Sequence, residues 1–385
     1  MNSLPARPLK MQFPRTLVWG PNCTEQFIED LRGQNLRRVL LVTARPLQPL
    51  TASITAALQD RGISAAVDDT INQEPTIEML ESSLERSRTM DFEAVIGLGG
   101  GSVLDTAKLI AALARSRQKP DEVFGIGKLT GRTIRLVCLP TTSGTGSEVS
   151  PNAILVDRDK KKKGVISEFL VPDAAYVDPL LTRTVPPPVT AATGMDALVH
   201  CIEAYANRGA HPMTDLYALE GIRLIAGNLK TAVENGQDLQ ARSALSLGSL
   251  YGGLCLGPVN TAAVHALAYP LGGEFHISHG LSNAVLLPYV MDFTLSAAPA
   301  RYAQIAEALG VRPAATEEET ARRGAEAIRQ LCAGCRIPLR LSELGLPKTA
   351  LEKMAESAMT VTRLLKNNLR EVTYEDAVSI YRKAW

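Results

Sequence analysis

The sequence predicts an N-terminal α/β domain with a doubly wound parallel sheet and an all-helical C-terminal domain. At 385 residues the chain exceeds the usual size of one domain. In its first half, short apolar runs alternate with helical patterns, as in a parallel sheet covered by helices. Beyond Pro186-Pro187-Pro188, amphipathic helical patterns continue to Trp385 with almost no strand signal. Because three successive prolines cannot lie within a helix or a central strand, the predicted domains are 1–186 and 187–385.

The elements of the N-terminal domain are predicted from the spacing of apolar residues. Residues 11–20 (MQFPRTLVWG) alternate weakly before a Gly-Pro-Asn turn, which suits an opening strand. Residues 37–43 (RRVLLVT) form a short apolar run of the kind that is buried in a parallel sheet. Further strands are expected at 65–67, 94–98 and 134–139, and helices at 50–61, 76–88 and 103–114.

A glycine-rich turn, Gly99-Gly100-Gly101-Ser102, joins the strand ending at Leu98 to the next helix. Glycines let backbone N–H groups approach a phosphate closely, and the N-terminus of the following helix favours negative charge. The turn is therefore a candidate site for dinucleotide phosphates, although it matches neither G-x-G-x-x-G nor the Walker A pattern. Asp105 follows Ser102 by three residues, so the pair predicts an S-x-x-D capping box, which does not exclude a cofactor contact.

A second candidate loop, Pro140-Thr-Thr-Ser-Gly-Thr-Gly-Ser-Glu148, follows the strand at 134–139. Hydroxyl groups and glycines at the carboxyl end of a strand suit the sugar and phosphates of a nucleotide. The alternative is an ordinary turn capped by serine and threonine side chains.

Four of the five histidines lie in two helical segments of the C-terminal domain. Asp196 and His200 are four residues apart and share one helix face, and His265, His276 and His279 lie in the second segment. Carboxylate oxygen and imidazole nitrogen are ligands for borderline divalent metals. From spacing alone, a metal site and a set of packed or surface histidines both remain open.

Composition excludes several classes of function. The net charge is +1 and the one basic block is Lys160–Lys163, so we expect no nucleic-acid partner. No apolar run reaches about 18 residues, and the N-terminus lacks the apolar core of a signal peptide, so we expect a soluble cytoplasmic protein with no membrane partner. The six cysteines are scattered, and the lone CxxC at Cys332–Cys335 has no second pair, which favours free thiols.

Together these segments resemble the iron-containing (group III) alcohol dehydrogenase family. The resemblance spans nearly the whole chain. It is carried by Gly99-Gly-Gly-Ser-Val-Leu-Asp-Thr-Ala-Lys108, Leu139-Pro-Thr-Thr-Ser-Gly-Thr-Gly-Ser-Glu148, Val171-Pro-Asp, Val177-Asp-Pro-Leu180, Ala192-Thr-Gly-Met-Asp-Ala-Leu-Val-His200, the segment 265–283 and Asn368-Leu-Arg-Glu-Val-Thr. It implies an α/β dinucleotide-binding domain followed by a helical metal-binding domain, in agreement with the predicted boundary.

The resemblance also implies roles for individual residues. The metal ligands would be Asp196, His200, His265 and His279, with iron(II) as the family's metal and zinc equally acceptable to these donors. NAD or NADP would bind along the residues Gly99, Gly100, Gly101, Ser102, Asp105, Thr141, Thr142, Thr145, Lys163 and Leu180. Asp105 would lie near the nicotinamide. Asp196 disfavours the similar maleylacetate reductases, which tend to replace this aspartate and work without metal.

Two positions depart from the family pattern. Many members carry a proton-relaying histidine four residues after the third ligand, where this chain has Tyr269, so Tyr269, His276 or water are the candidates for that role. Relatives that use NAD often have an aspartate at the end of the second strand, where this chain has Ala44 followed by Arg45. The absent carboxylate predicts that NADP is accepted.

The predicted activity is a metal-dependent, NAD(P)-linked alcohol dehydrogenase or aldehyde reductase acting on small alcohols and aldehydes. The metal would act as a Lewis acid on the substrate oxygen while hydride passes between the carbinol carbon and the nicotinamide. The alternatives are a glycerol-dehydrogenase-like polyol oxidoreductase, a dehydroquinate-synthase-like lyase using NAD and metal, and a non-catalytic binding protein. By analogy with the family, a strand at Lys10–Trp19 would pair across a homodimer or a higher homo-oligomer.

Overall fold

The computed structural model describes residues 7–385, which fold into two compact units. The α/β unit comprises Gln12–Thr142 and Gly146–Arg183. The helical unit comprises the described residues up to Met11, the short segment Ser143–Thr145, and Thr184–Trp385. Residues 1–6, part of the segment expected to lack a signal peptide, lie outside the described residues.

The α/β unit is built on a six-stranded sheet in the order β1-β9-β6-β4-β2-β3, and every neighbouring pair is parallel. Its strands are β1 (Thr16–Trp19), β2 (Arg38–Val42), β3 (Ser64–Asp68), β4 (Ala94–Gly99), β6 (Arg135–Pro140) and β9 (Ala174–Val177). Four helices accompany them, α1 (Cys23–Gly33), α2 (Gln48–Gln59), α3 (Ile77–Arg88) and α4 (Gly101–Leu113). The strands and helices expected from the sequence are present, with ends shifted by a few residues.

Both faces of this sheet are buried, because alternate residues of its strands point to opposite sides. Leu40 and Val95 join the apolar cluster that contains residues of α3 and α4. Leu41 and Ile96 join the cluster on the other face, with residues of α1 and α2. Helices therefore cover both faces, which confirms the predicted doubly wound arrangement.

A second sheet was not expected from the sequence. Its strands are β5 (Gly125–Ile126), β7 (Asn152–Val156) and β8 (Lys162–Ile166), in the order β5-β8-β7. Strand β8 includes Lys162 and Lys163, the second half of the basic block Lys160–Lys163. A turn precedes the strand, where Lys160 takes a left-handed conformation with φ of 60°.

The helical unit contains no strand among its described residues, as the sequence predicts. Its helices are α5 (Pro187–Tyr205), α6 (Pro212–Glu234), α7 (Leu239–Leu256), α8 (Ala263–Phe275), α9 (His279–Thr294), α10 (Pro299–Ala308), α11 (Glu317–Gly334), α12 (Leu351–Met359), α13 (Thr362–Leu365) and α14 (Tyr374–Ala384). Short 3-10 helices occur in both units. Those of the α/β unit are Arg45–Leu47, Pro120–Glu122, Glu168–Leu170 and Pro179–Thr182, and those of the helical unit are Leu295–Ala297, Leu341–Leu344 and Lys348–Ala350.

Helix α5 is the centre of the helical unit. It begins at Pro187, because proline at the first helical position loses no intrahelical hydrogen bond. Every residue from Gly194 to Tyr205 is buried. A side chain at Gly194 would lie 2.4 Å from Leu229 Cδ1, so glycine permits the close approach of α6. Polar groups on this part of α5 are therefore enclosed by protein.

Three further observations bear on the sequence predictions. No helix within residues 7–385 is both long and apolar enough to cross a membrane. All six cysteines are buried free thiols, as expected. The first strand is shorter than the predicted Lys10–Trp19, since Lys10–Arg15 are not in a strand and β1 pairs with β9.

Candidate functional site

One face of α5 carries three polar side chains. Asp196, His200 and Glu203 follow one another at spacings of four and three residues, so they line one side of the helix. All three are buried. Charged and polar groups so enclosed need partners, which are supplied by helices α8 and α9 and by Gly144.

His265 and His279 lie near the N-terminal ends of their helices. His265 is in the first turn of α8, and His279 is the first residue of α9. Between the helices, His276 ends α8 in the left-handed conformation with φ of 56°. This connection turns the chain sharply enough for His279 to face α5.

Three of the predicted metal ligands form a compact cluster. The ligand atoms of Asp196, His265 and His279 all lie within 4.8 Å of one another. Asp196 Oδ1 is 3.7 Å from Nε2 of both His265 and His279, and 3.9 Å from Nε2 of His200. The rings of His200 and His265 are stacked with centroids 4.8 Å apart. One carboxylate oxygen is thus surrounded by three imidazole nitrogens.

Hydrogen bonds fix which nitrogen of two of these rings carries the proton. His200 Nδ1 is 3.3 Å from the carbonyl oxygen of Gly144, which can only accept. His265 Nδ1 is 2.6 Å from a carboxylate oxygen of Glu203. In a neutral imidazole the proton then lies on Nδ1, and Nε2 presents a lone pair to the cluster.

Asn283 completes the cluster from α9, one turn after His279. Its Nδ2 donates to Asp196 Oδ1 at 2.7 Å and lies 3.2 Å and 3.3 Å from Nε2 of His265 and His279. Asn283 is fully buried. An amide N–H facing these nitrogens is consistent with their being unprotonated acceptors.

The ionisation of the cluster suits metal binding. Burial alone raises the pKa of Asp196, but the three histidines and Asn283 outweigh it and hold that pKa at about 2. Burial lowers the pKa of His200, although Asp196 opposes the shift. Asp196 is therefore an anion and His200 neutral near pH 7, which are the states that coordinate a metal.

The donor set fits one divalent ion. Atoms bound at about 2.1 Å to a tetrahedral ion are roughly 3.4 Å apart, close to the separations around Asp196 Oδ1. Three imidazoles and one carboxylate suit iron(II) or zinc equally. These four residues could hold either metal.

The two side chains predicted as candidates for proton relay differ in their exposure and in their contact with the cluster. Tyr269 is half-buried on α8, with its ring centroid 6.2 Å from that of His279. His276 is exposed and is not part of the cluster. Tyr269 is thus the better placed of the two beside a predicted ligand.

In the α/β unit, the two candidate loops meet at the carboxyl ends of β4 and β6. The N–H of Thr141 donates to the carbonyl oxygen of Gly99 at 3.0 Å. A Cβ at Gly99 would lie 2.6 Å from Val103 Cβ, and one at Gly100 would lie 3.2 Å from Thr142 Oγ1. Glycine is therefore required for the tight turn into α4.

The predicted capping box is wrong. The N-cap of α4 is Gly100, no side chain caps this helix, and Ser102 lies within its first turn. The Asp105 carboxylate instead accepts hydrogen bonds from Ser147 Oγ at 2.5 Å and from the N–H of Ile154 at 2.9 Å. The helix begins at Gly101, two residues too early for Ser102 to be its N-cap.

Lys108, also on α4, contacts the same segment 147–154 as Asp105. It is fully buried, and its ammonium donates to the carbonyl oxygens of Ser150 and Asn152, both at 2.9 Å. Burial raises the pKa of Asp105, and the positive charge of Lys108 is the main opposing effect. Asp105 and Lys108 together join α4 to the segment 147–154.

We expect Asp105→Asn to lower the free energy of unfolding by about 1–3 kcal/mol, because one acceptor and the charge that favours buried Lys108 are lost. Ser147→Ala, which removes only one of the two hydrogen bonds, is the matched control and should cost about 1 kcal/mol. If Asp105 also contacts nicotinamide, turnover falls far more in Asp105→Asn than in Ser147→Ala. Denaturant unfolding and steady-state kinetics measure both quantities, and wild-type values for Asp105→Asn would contradict both roles.

The remaining predicted cofactor residues lie on four different segments of the chain. Ala44 is half-buried in extended conformation after β2. Lys163 is half-exposed and forms an ion pair of 2.6 Å with Asp157. Leu180 is the second residue of the 3-10 helix Pro179–Thr182, and its N–H donates to Asp178 Oδ1 at 3.0 Å. Thr145 belongs to the helical unit, in the segment that supplies Gly144.

Glu203 and Asn283 were not predicted as site residues from the sequence. Each had a signal in the spacing: Glu203 is seven residues after Asp196, and Asn283 is four after His279. Such spacings place residues on one helix face. They gain meaning only once the facing helix is known, because glutamate and asparagine are common on helix surfaces.

The chain is similar to known proteins over nearly its whole length. The family model "Iron-containing alcohol dehydrogenase" matches residues 14–179, and "Fe-containing alcohol dehydrogenase family, C-terminal" matches residues 190–385. Long-chain-alcohol dehydrogenase 1 of Geobacillus thermodenitrificans is 38% identical over 382 residues, covering 98% of this chain and 96% of the relative. The 1,3-propanediol dehydrogenase of Citrobacter freundii is 34% identical over 378 residues, covering 97% of each.

Solved structures show the same architecture. The crystal structure of a 1,3-propanediol oxidoreductase matches with a TM-score of 0.95 at 33% identity, covering 98% of this chain and all of that one. A sulfoacetaldehyde reductase from Bifidobacterium kashiwanohense, solved in complex with NAD+, matches with a TM-score of 0.88 at 26% identity, covering 98% of this chain and 99% of that one.

The fold and the cluster define a metal-dependent oxidoreductase that interconverts alcohols and aldehydes. The chain belongs to the iron-containing alcohol dehydrogenase family. The family expected from the sequence motifs is confirmed.

Proposed function

We propose that this protein is an NAD(P)-linked alcohol dehydrogenase or aldehyde reductase whose iron(II) ion, replaceable by zinc, is held by Asp196, His200, His265 and His279. The observation that carries the proposal is the approach of three imidazole Nε2 atoms to one oxygen of Asp196. Their lone pairs converge inside a buried part of the helical unit, where charge needs compensation.

When bound, the dication would supply Lewis acidity to the substrate oxygen and so favour loss of the alcohol proton near neutral pH, and nicotinamide would accept the carbinol hydride. Asp196 contributes the one negative charge among the four ligands, which leaves the centre with a net positive charge. Gly144 holds the ring of His200, and Glu203 holds the ring of His265. In both rings Nε2 is the nitrogen near Asp196 Oδ1. Tyr269, with its phenol, is the proposed proton relay, and His276 or water is the alternative.

The dinucleotide binds along Gly99–Ser102 and Thr141–Thr142 in this proposal. The support is the uncapped N-terminus of α4, the glycine turn before it, and the hydrogen bond that brings the second loop alongside. Asp105, Thr145, Lys163 and Leu180 are the further contacts proposed from the family motif. A structural relative has been solved with NAD+, which favours the same cofactor class here.

The proposed cofactor preference rests on the residues that follow β2. Ala44 offers no carboxylate to the adenosine ribose, Arg45 is exposed, and Asp68 at the end of β3 is hydrogen bonded to Arg86 and Thr70. A carboxylate here would bind a ribose hydroxyl and repel a 2′-phosphate. NADP(H) is therefore accepted and preferred over NAD(H).

Ala44→Asp should shift the preference towards NAD by one or two factors of ten, at about 1.4 kcal/mol for each. Ala44→Asn is the matched control, since it adds hydrogen-bonding groups of the same size without the charge. The ratio of kcat/KM for the two cofactors measures the shift. Strong discrimination for NAD by the unmodified enzyme would show that another residue contacts the ribose.

The substrate is proposed only as a small primary or secondary alcohol and its carbonyl partner. The relatives' names cover long-chain alcohols, 1,3-propanediol and sulfoacetaldehyde, so they do not single out one compound. A polyol substrate, as in glycerol dehydrogenases, is the second candidate. A panel of alcohols, diols and aldehydes, followed by the absorbance of reduced cofactor with iron or zinc added, tests both. Absence of cofactor turnover across the panel would favour a lyase or a binding protein.

Assembly and location are also proposed. Leu17 and Trp19 are 37% and 39% exposed on β1, which is the edge strand of the six-stranded sheet. An exposed apolar edge favours pairing with another chain, so a homodimer or a higher homo-oligomer is proposed. Sedimentation analysis tests it. Cytoplasmic location, with no nucleic-acid partner, rests on composition.

A further inference from the structure

Glu203 contributes a buried carboxylate to the cluster from helix α5. Its carboxylate is buried and accepts three hydrogen bonds from the start of α8. Oε1 accepts the N–H of Val264 at 2.5 Å, while Oε2 accepts the N–H of Ala262 at 3.0 Å and Nδ1 of His265 at 2.6 Å. One carboxylate thus binds both the backbone of α8 and the ring of a predicted ligand.

We propose that Glu203 is a positioning residue of the metal centre: it sets the tautomer and orientation of His265, and thereby the affinity for the divalent ion. This inference rests on the proposed metal site. A carboxylate can only accept hydrogen bonds, so the short contact requires the proton of neutral His265 on Nδ1. Nε2 then carries the lone pair, and it lies 3.7 Å from Asp196 Oδ1.

A purely structural role would leave one contact unexplained. The N-cap of α8 is Ala262, which has no capping side chain, so Glu203 supplies the missing acceptor for the first N–H groups. That role uses the two backbone contacts alone. The third contact goes to a side chain of the metal cluster, and carboxylate partners of this kind raise the basicity of a ligating imidazole.

His200 provides an internal comparison. Its Nδ1 faces a neutral carbonyl oxygen, that of Gly144, at 3.3 Å, whereas His265 faces a carboxylate at 2.6 Å. Hydrogen bonds to an ionised acceptor are shorter and about twice as strong. His265 is therefore the more firmly fixed of these two rings, and the one whose tautomer depends on a single replaceable side chain.

Glu203→Gln tests the proposal with little change of shape. When the glutamine oxygen accepts the N–H of Val264, its NH2 group faces both Nδ1 of His265 and the N–H of Ala262, which loses its acceptor. An NH2 group can only donate, so the imidazole proton is expected to move to Nε2, where it blocks coordination. The variant should bind zinc about 10–100-fold more weakly than the wild type.

Two measurements separate positioning from structural support. Zinc affinity is measured by chelator competition, and the tautomer of His265 by 15N NMR of metal-free protein labelled at its five histidines, with His265→Gln identifying the signal. Asp238→Ala is the control, because it removes the N-cap of α7 in the same unit and lies outside the cluster. Its zinc affinity should equal that of the wild type.

Wild-type zinc affinity in a folded Glu203→Gln protein, or an unchanged Nδ1–H tautomer, would overturn the proposal. The wild-type NMR measurement needs no variant beyond the one used for assignment, so an Nε2–H tautomer in metal-free wild type would overturn it even if Glu203→Gln fails to fold. Failure of the metal site itself looks different. In that case the wild type binds no zinc, or His265→Gln binds it as tightly.

Discussion

His279→Ala is expected to lose its bound metal and nearly all activity. His279 supplies one of the three Nε2 atoms around Asp196 Oδ1, and its removal leaves that oxygen with two imidazole neighbours, those of His200 and His265. Loss of a direct ligand should weaken binding by more than the roughly 100-fold at the upper end for indirect partners. His265→Ala should behave in the same way. Elemental analysis of the purified variants measures the metal content per chain.

His211→Ala is the matched control for this experiment. His211 caps the N-terminus of α6, where its Nδ1 accepts the N–H of Met213 at 3.2 Å. Its removal should cost about 1 kcal/mol of stability, as for other N-caps, and leave metal content unchanged. Full metal occupancy in His279→Ala would exclude His279 from the ligand set.

Gly280→Ala is expected to damage the centre without removing any ligand. A Cβ at Gly280 would lie 2.2 Å from the carbonyl oxygen of Ala192 and 3.3 Å from Asp196 Cβ. Backbone atoms of α5 cannot turn aside as a side chain can, so α5 and α9 must separate. These helices carry Asp196 and His279, and overpacking of this kind typically costs 1–3 kcal/mol. Unfolding stability should fall by about 2 kcal/mol, and metal affinity should fall with it.

Gly227→Ala separates this effect from a general response of helices to alanine. Gly227 lies within α6, and a Cβ there would meet no atom within 4 Å. Because alanine favours a helix interior over glycine, that variant should gain about 0.5–1 kcal/mol. Denaturant unfolding and chelator competition compare the two. Equal stability and metal affinity in both variants would mean that α5 and α9 approach less closely than the structure indicates.

Much of the fold could be predicted because apolar spacing was strong. The segment 37–43 and the strand ending at Leu98 correspond to β2 and β4, which are buried on both faces of the sheet. The prolines at 186–188, predicted to separate two domains, lie at the start of α5. The second sheet was missed because β5 has two residues and β8 opens with lysines. Short strands whose register depends on a distant partner leave little periodic signal.

In the candidate site, too, the residues with a local sequence signal were predicted and those that depend on distant contacts were not. The helical spacing of Asp196 and His200 was visible locally, and the family motif supplied His265 and His279. Glu203 was not visible, because its partner His265 is 62 positions away in the chain. Asp105 was misassigned for a related reason: a local capping pattern was plausible, but its actual partners, Ser147 and Ile154, are 42 and 49 positions away. Contacts between distant segments decide such roles.

The segment Ser143–Thr145 has a consequence for dissecting the protein. These three residues lie between β6 and β7 in the chain, yet they fold with the helical unit, and the carbonyl oxygen of Gly144 holds the ring of His200. A fragment that starts at Pro187 would keep all four proposed ligands but not this acceptor. Chimeras that exchange the helical unit between relatives at this point would inherit residue 144 from the other parent. Transplanting the metal centre intact therefore needs two pieces of sequence, one of them only three residues long.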